Sequence, residues 1–284
     1  MASLKKRLKG NAEGEFFVDS SCIDCSVCRE IAPDIFGDGE ETALVVRQPS
    51  CEYEIRRAFQ ALVSCPVSAI GTVSLRPPKD LQESFPIPIE ENVFLVGYAS
   101  RESYGCLSYL IVREEGNVMV DSPRFARQLA DRIRDLGGLK YIFLTHEDDV
   151  ADSDIYAREF KAKRIIHLED SSAVPDAEIK IKGYDPIALD RDLLIIPTPG
   201  HTRGHMVLLY KERFLFTGDH LAWSRRKKRL VAFRDYCWHS WEDLKRSMVR
   251  LLDFKFEWVL PGHGYRAKIR REEFERFVEE LLKE

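Results

Sequence analysis

The sequence predicts two domains of unequal size. A small α+β unit occupies residues 1–75, a larger α/β layered unit occupies residues 93–284, and residues 76–92 link them. Two observations carry this division. Five of the seven cysteines fall before residue 66, and a proline-rich stretch, LRPPKDLQESFPIPIEEN (Leu75–Asn92), interrupts any periodic pattern. The larger unit is read as layered because, beyond that stretch, short apolar runs of strand length alternate with longer amphipathic ones, the order that produces sheets flanked by helices.

In the first unit EFFVDS reads as a strand. EYEIRRAFQALVSC reads as an amphipathic helix with Ile55, Phe59 and Leu62 on one stripe. So small a core needs a staple. In the second unit CLSYLIVRE and GNVMVDS form a hairpin around EEGN, with Asp121 at its end. PRFARQLADRIRDLG is a helix closed by Gly137, KYIFLTH a buried strand ending in His146, and DSDIYAREF a helix. RIIHLE is a strand, LLIIPTPGHTRGHMVLLY two strands around a Pro-Gly loop, and RFLFTGDHLAW a strand running into a loop. SWEDLKRSMVRLLDF is a helix, FEWVLPGHG a strand then a loop, and REEFERFVEELLKE the last helix. No internal repeat or low-complexity tract is present.

The bulk numbers exclude more than they assign. With 43 basic and 47 acidic residues the net charge is −4, which gives no pull toward nucleic acid or an anionic membrane. No apolar run approaches the roughly 18–20 residues of a membrane span. The basic start, MASLKKRLKG, is followed by no apolar stretch, so it reads as a solvated tail and not a secretory signal. An odd, clustered set of cysteines is a poor disulfide framework and a better ligand set in a reducing compartment, and the expectation is the cytoplasm.

Residues 22–28 read CIDCSVC, and a remote Cys65 is followed by Pro66. Three closely spaced thiolates plus a distant Cys-Pro suit the corners of an iron–sulfur cube. A zinc knot ordinarily pairs two CxxC units, so a C-x2-C-x2-C run matches it poorly. Over residues 15–73 the chain resembles the single-cluster bacterial ferredoxins. The resemblance implies a small α+β fold and a [4Fe-4S] cluster on Cys22, Cys25, Cys28 and Cys65, since cysteine is retained at Cys25, where an aspartate accompanies three-iron clusters. The cluster is then the staple. Cys51 reads as a packed thiol, and Cys106 and Cys237 as core residues.

Strand ends in the second unit present His146, then His201 in TPGHTRGH, Asp219 in FTGDH and His263 in LPGHG, each beside residues that turn the chain sharply. In this order the motifs resemble the metallo-β-lactamase superfamily over residues 93–266, which implies an αββα metallo-β-lactamase sandwich with metal ligands among His146, Asp148, His201, Asp219 and His263. The departure is in THEDDVA. Where the family has T-H-x-H-x-D-H, Asp148 stands for the second histidine, and Val150 and Ala151 stand for the Asp-His pair. A second metal position would then keep only His263 and the shared Asp219. The first keeps His146, His201 and Asp219, with Asp148 open as a fourth ligand. Asp148 and His263 are the candidate acid–base residues. Asp149, Asp152 and Asp154 read as an acid-rich helix N-terminus, with Asp152 as its cap. His205 and His220, beside candidate ligands, read as ordinary surface histidines or else as residues that support those ligands, and His167 and His239 read as structural. SRRKKR (Ser224–Arg229) reads as a solvated loop or a patch that attracts an anionic substrate or partner, and Trp223, Phe233, Tyr236, Trp238 and Trp241 as packing around it or as a pocket wall.

Two histidines and a carboxylate suit a mononuclear non-haem iron, the triad also used by the superfamily's sulfur dioxygenases, and suit one zinc with a bound water equally. Three functions follow. The first is a redox enzyme in which the cluster exchanges electrons with one iron. The second is a zinc hydrolase of a thioester, ester or phosphoester with a structural or sensing cluster. The third is a non-catalytic electron carrier on a degenerate scaffold. The expected partners are a small-molecule substrate and a redox partner protein. No membrane is expected, and a nucleic-acid role rests only on SRRKKR.

Overall fold

A computed structural model describes residues 2–284. The N-terminal unit pairs Phe16–Val18 antiparallel with Ile70–Thr72, adds a small hairpin of Phe36–Asp38 and Ala43–Val45, and carries helices Val27–Ile31 and Glu52–Ser64. Phe16 packs edge-on against Phe59 at 5.0 Å between ring centroids. The helix buries Ala58, Phe59 and Ala61, whereas Ile55 and Leu62 are only half-buried. The buried stripe is shifted because this helix also meets the second unit. Gln60 Nε2 donates to Ser84 O at 3.0 Å, and Ser64 Oγ accepts from Tyr98 N at 3.2 Å. The N-terminal segment corrects the expectation of a solvated tail. Leu4–Lys6 is a 3-10 turn, Ser3 N donates to Asp19 Oδ2 at 2.8 Å, and Arg7 bridges to Asp19.

The larger unit stacks a seven-stranded and a six-stranded mixed sheet, with helices on both outer faces. Period-2 alternation assigns the faces. Ile195, Leu208, Phe214 and Phe216 point into the central core, while Ile196, Val207, Leu209 and Leu215 point outward. The outward set meets Leu244 and Met248 of helix Trp241–Arg250, and Phe274, Phe277 and Leu281 of helix Arg271–Leu281. The sequence SWED starts the first of these helices, because Ser240 Oγ accepts from Asp243 N at 3.1 Å. Leu129, Ile133 and Tyr156, on Arg127–Asp135 and Ser153–Phe160, cover the seven-stranded sheet.

Residues 76–92 are not a structureless linker. Leu81–Ser84 forms a 3-10 turn, and Ile87–Glu90 is the edge strand of the seven-stranded sheet, paired with Val93–Leu95. Proline is tolerated there because Pro88 is exposed on an edge, where its missing N–H leaves no ladder bond unmade. One continuous hydrophobic core runs from Phe16 and Phe59 through Phe85 and Tyr98 to Phe214 and Phe216. Among the described residues no helix is long and apolar enough to cross a membrane.

Candidate metal centres

Cys22, Cys25, Cys28 and Cys65 converge on a pocket lined mostly by apolar side chains such as Val18, Val27, Val67 and Ile70. All are free thiols. Burial pushes up the Cys22 and Cys28 thiols and lifts Cys25 to about 12, so these sulfurs do not ionise unaided in this lining. A cationic cluster core that displaces the thiol protons resolves the conflict. The loop is wound by left-handed Asp24 (φ 58) and Ser26 (φ 69), which keeps the intervening peptides short. Ala69 N donates to Cys65 Sγ at 3.2 Å, the kind of N–H···S contact that tunes a cluster. The residues present fit a cubane.

The second centre lies where strand ends of the two sheets meet. Strand Tyr141–Phe143 leads to His146, Leu193–Pro197 to His201, Phe214–Gly218 to Asp219 and Trp258–Pro261 to His263. Cross-sheet bonds close this edge, with Met206 N on Thr145 O at 2.8 Å and Leu107 N on Gly262 O at 2.7 Å. The donor atoms of His146, His201 and Asp219 lie within 4.8 Å of one another. Asp219 Oδ2 is 3.8 Å from His146 Nε2 and 3.7 Å from His201 Nε2. Asp148 Oδ2 is 3.7 Å and 3.4 Å from the same two nitrogens. Donors about 2.1 Å from a tetrahedral ion stand roughly 3.4 Å apart, so these spacings suit a cation between them. Both Nε2 atoms are buried and have no partner among the described residues. Two orphaned ring nitrogens facing a carboxylate fit a metal, and nothing else nearby satisfies them.

Neighbours fix the ligand orientations. Thr145 Oγ1 lies 2.9 Å from His146 Nδ1, and itself donates to Asp121 Oδ1 at 3.0 Å. That leaves His146 Nε2 for the site. Burial lowers the His146 pKa to about 4, so the ring is the neutral form a metal requires. Asp148 is half-exposed and accepts from Trp238 Nε1 at 3.2 Å. His263 Nδ1 meets Asp219 Oδ1 at 2.7 Å, and its Nε2 lies 3.2 Å from Ser103 O. Burial acts to lower the His263 pKa, but the Asp219 charge and hydrogen bond outweigh it and lift it to about 10. Burial likewise acts to raise Asp219, and the surrounding histidines hold it well below the usual carboxylate range.

Three expectations are corrected here. Asp149 is not a surface acid at a helix start. It is fully buried, neither oxygen has a partner, and its carboxylate lies within 4.8 Å of the donors of Asp219 and His263. Its pKa is driven well upward by burial and then by Asp219. Cys106 and Asp121 gather on its other side within the same reach. The run of consecutive acids Glu147-Asp148-Asp149 was the available signal: the 3-10 turn Glu147–Asp149 swings Asp149 inward one position before the valine. Next, His205 and His220 are fully buried, not surface residues. His205 Nε2 accepts from Asp219 N at 3.3 Å and Nδ1 lies 3.0 Å from Thr198 Oγ1, so His205 positions the candidate ligand Asp219, with the His220 ring tilted against it at 3.9 Å between centroids. Finally, Asp152 does not cap its helix; its carboxylate accepts from Phe125 N at 2.5 Å. His167 and His239 stay outside the site, on Gly183 O and Asp243.

The basic run forms the turn of a hairpin between Ala222–Ser224 and Arg229–Val231. Arg225 stacks over Tyr265 at 4.0 Å and pairs with buried Glu30 of the N-terminal unit at 3.3 Å, beside Arg266. Arg226, Lys227 and Lys228 are exposed. Tyr236 and Trp238 stand exposed at the mouth of the site, 61% and 63%, and so do not serve as packing.

A four-cysteine cavity and a histidine–aspartate centre at the junction of two sheets define an iron–sulfur metalloprotein of the metallo-β-lactamase type. The chain belongs to the metallo-beta-lactamase superfamily, whose model matches residues 102–263, and it carries a 4Fe-4S single cluster domain of the Ferredoxin I kind at residues 18–72. It is similar to the Beta-lactamase-like protein 2 homolog of Drosophila melanogaster, 22% identical over 181 residues, covering 56% of this chain. The chain spans only 59% of that relative's length. Among solved structures it resembles VMB-1 (TM-score 0.54, 17% identity, 69% of this chain and 95% of that one). It also resembles the metal-soaked Flv1 flavodiiron core from Synechocystis sp. PCC6803 (TM-score 0.50, 20% identity, 69% and 60%). At such identities the likeness is one of fold.

Proposed function

We propose that the protein is a redox enzyme in which a [4Fe-4S] cluster on Cys22, Cys25, Cys28 and Cys65 exchanges electrons with one iron ion on His146, His201 and Asp219. The observation that supports it is the placement of both donor sets in one continuous packed structure, with residues 103–105 lying against Cys25 and its loop on one side and against His263, the hydrogen-bond partner of Asp219, on the other. A bound iron would supply one-electron chemistry and open positions for a small molecule. The chain's own residues do the rest. His146 and His201 present unpartnered Nε2 atoms, and Thr145 and His205 hold His146 and Asp219 in orientation. Asp148, half-exposed and steadied by Trp238, is placed to act as a further ligand or to take a proton from a substrate. His263 holds a proton at Nδ1 toward Asp219. Asp149 offers a carboxylate to a second cation beside His263, so the loss of the family's Asp-His pair does not empty that side. The mouth between Tyr104, Tyr236 and Trp238 is the entrance for a small-molecule substrate. A redox partner protein refills the cluster, in a reducing cytoplasm that keeps the cysteines free.

The same donors suit a zinc ion with bound water, and Asp148 at 3.4 Å from His201 Nε2 is the feature that favours that hydrolytic reading. Iron, zinc and acid-labile sulfide are to be measured on anaerobically purified full-length protein. Iron in excess of sulfide, lost in His201→Ala with the sulfide retained, supports the redox enzyme. Stoichiometric zinc at that site overturns it in favour of the hydrolase.

A further inference from the structure

Residues 103–105 touch both centres. Ser103 O lies 3.2 Å from His263 Nε2, and His263 is bonded to the ligand Asp219. The Tyr104 hydroxyl donates to Ile23 O at 2.7 Å, inside the cluster loop between Cys22 and Cys25. The Tyr104 ring is tilted against the His263 ring, 6.4 Å between centroids. Gly105 lies directly on the third contact, because a methyl group added there would stand 2.6 Å from Cys25 Cβ and 2.8 Å from its Sγ. The segment is held in place, with Gly105 N on Ser100 O and Cys106 N on Ser103 O, both at 2.8 Å. Its backbone bends into left-handed conformations at Tyr104 (φ 47) and Gly105 (φ +87), which aims the tyrosine at the cluster loop while its own carbonyl neighbour faces the histidine.

We infer that Ser103–Gly105 is the electronic bridge between the two centres, with Tyr104 as its side-chain element. This rests on the redox reading above. A contiguous set of covalent and hydrogen bonds couples two redox sites better than an unfilled gap, and this segment supplies one in three residues. It joins Cys25 and Ile23 at one end to His263 and Asp219 at the other. The exchange is of one electron. The cluster is oxidised by one unit, the ion held by His146, His201 and Asp219 is reduced by one unit, and no bond forms or breaks. The electron is replaced at the cluster by a one-electron reductant, which in the experiment is dithionite.

The test uses full-length protein with the cluster assembled and ferric iron in the second centre. Substoichiometric dithionite reduces the cluster, and rapid freeze-quench EPR follows the decay of the reduced-cluster signal. Tyr104→Phe keeps the ring and removes the bond to Ile23; Tyr104→Leu removes both. Tyr104 is 59% exposed, so both variants fold. The expected result is a decay slowed about tenfold in Tyr104→Phe, equivalent to roughly 1.4 kcal/mol in a barrier, and slowed further in Tyr104→Leu. Cluster absorbance and iron content stay unchanged, and the exposed Tyr53→Phe control decays as the wild type does. Equal decay in the wild type and both Tyr104 variants overturns the bridge and leaves the redox enzyme standing. No decay in the wild type with ferric iron in place overturns the redox reading and the bridge with it.

Discussion

His263 Nδ1 and Asp219 Oδ1 are joined at 2.7 Å, while the other oxygen of Asp219 faces His146 and His201. The histidine therefore sets how the carboxylate is presented to the ion. Substituting His263→Gln loosens Asp219, and metal affinity at the second centre falls by about 10–100-fold, the usual effect of removing a group that orients a ligand. Competition with a chelator measures this. Cluster absorbance stays constant, because His263 touches no cluster cysteine.

Asp149 is buried with two unpartnered oxygens, which is costly without a cation. Replacing it by asparagine keeps the volume and removes an ionisable carboxyl that burial already holds away from its charged form. Metal-free Asp149→Asn is expected to melt higher than metal-free wild type, at about 2–4 °C per kcal/mol recovered. The metal-loaded form gains nothing and binds less metal. Calorimetry with and without metal separates these effects.

Gly218 sits at φ +48 behind the centre, and a methyl group there would stand 2.6 Å from His205 Nε2 and 2.7 Å from Thr145 Oγ1. Gly218→Ala pushes on the two residues that position Asp219 and His146. It is expected to destabilise the fold by roughly 1–3 kcal/mol, as overpacking does, and to abolish metal retention. Urea unfolding and metal analysis measure both.

Glu54 gives a pH signature unrelated to metals. Arg47 grips it at 3.0 and 2.7 Å, and with Ser50 holds its pKa at about 2, below the ordinary 4.5. A depressed carboxylate contributes stability above its unfolded pKa and loses it as pH falls through the folded one. The difference in stability between wild type and Glu54→Gln is therefore constant above pH 4.5 and shrinks toward zero near pH 2. Denaturant midpoints across that window read it directly.

Cys65→Ser removes a cluster corner from a region that shares its core with the rest of the chain. A loss of roughly 3–5 kcal/mol corresponds to a fall on the order of 10 °C. The unfolding stays a single calorimetric transition, because the N-terminal unit has no separate core.

The convergence of the four cysteines was legible because three of them are local, in CIDCSVC, and the remote fourth, Cys65, is marked by the proline that follows it. The convergence of His146, His201 and Asp219 was legible because each follows an apolar strand and sits beside Gly, Pro or Thr. What escaped depends on the third dimension. Burial of His205 and His220 comes from the packing of two sheets, which a histidine next to a glycine does not reveal. The inward turn of Asp149 depends on a single 3-10 turn that displaces it by one position from the family pattern. The edge strand Ile87–Glu90 hid behind its prolines, which mark an exposed edge as readily as a linker.

The continuous core also governs how the two halves communicate. Arg124 Nη1 reaches Ala99 O at 2.5 Å and its other nitrogen bonds Val63 O, while Tyr265 donates to Asp38 at 3.3 Å, so the halves are welded at several points. A tethered carrier that swings between donor and acceptor slows as the medium thickens. A welded pair has no such diffusive search, so exchange between the halves is expected to proceed at the same speed in buffer and in concentrated sucrose.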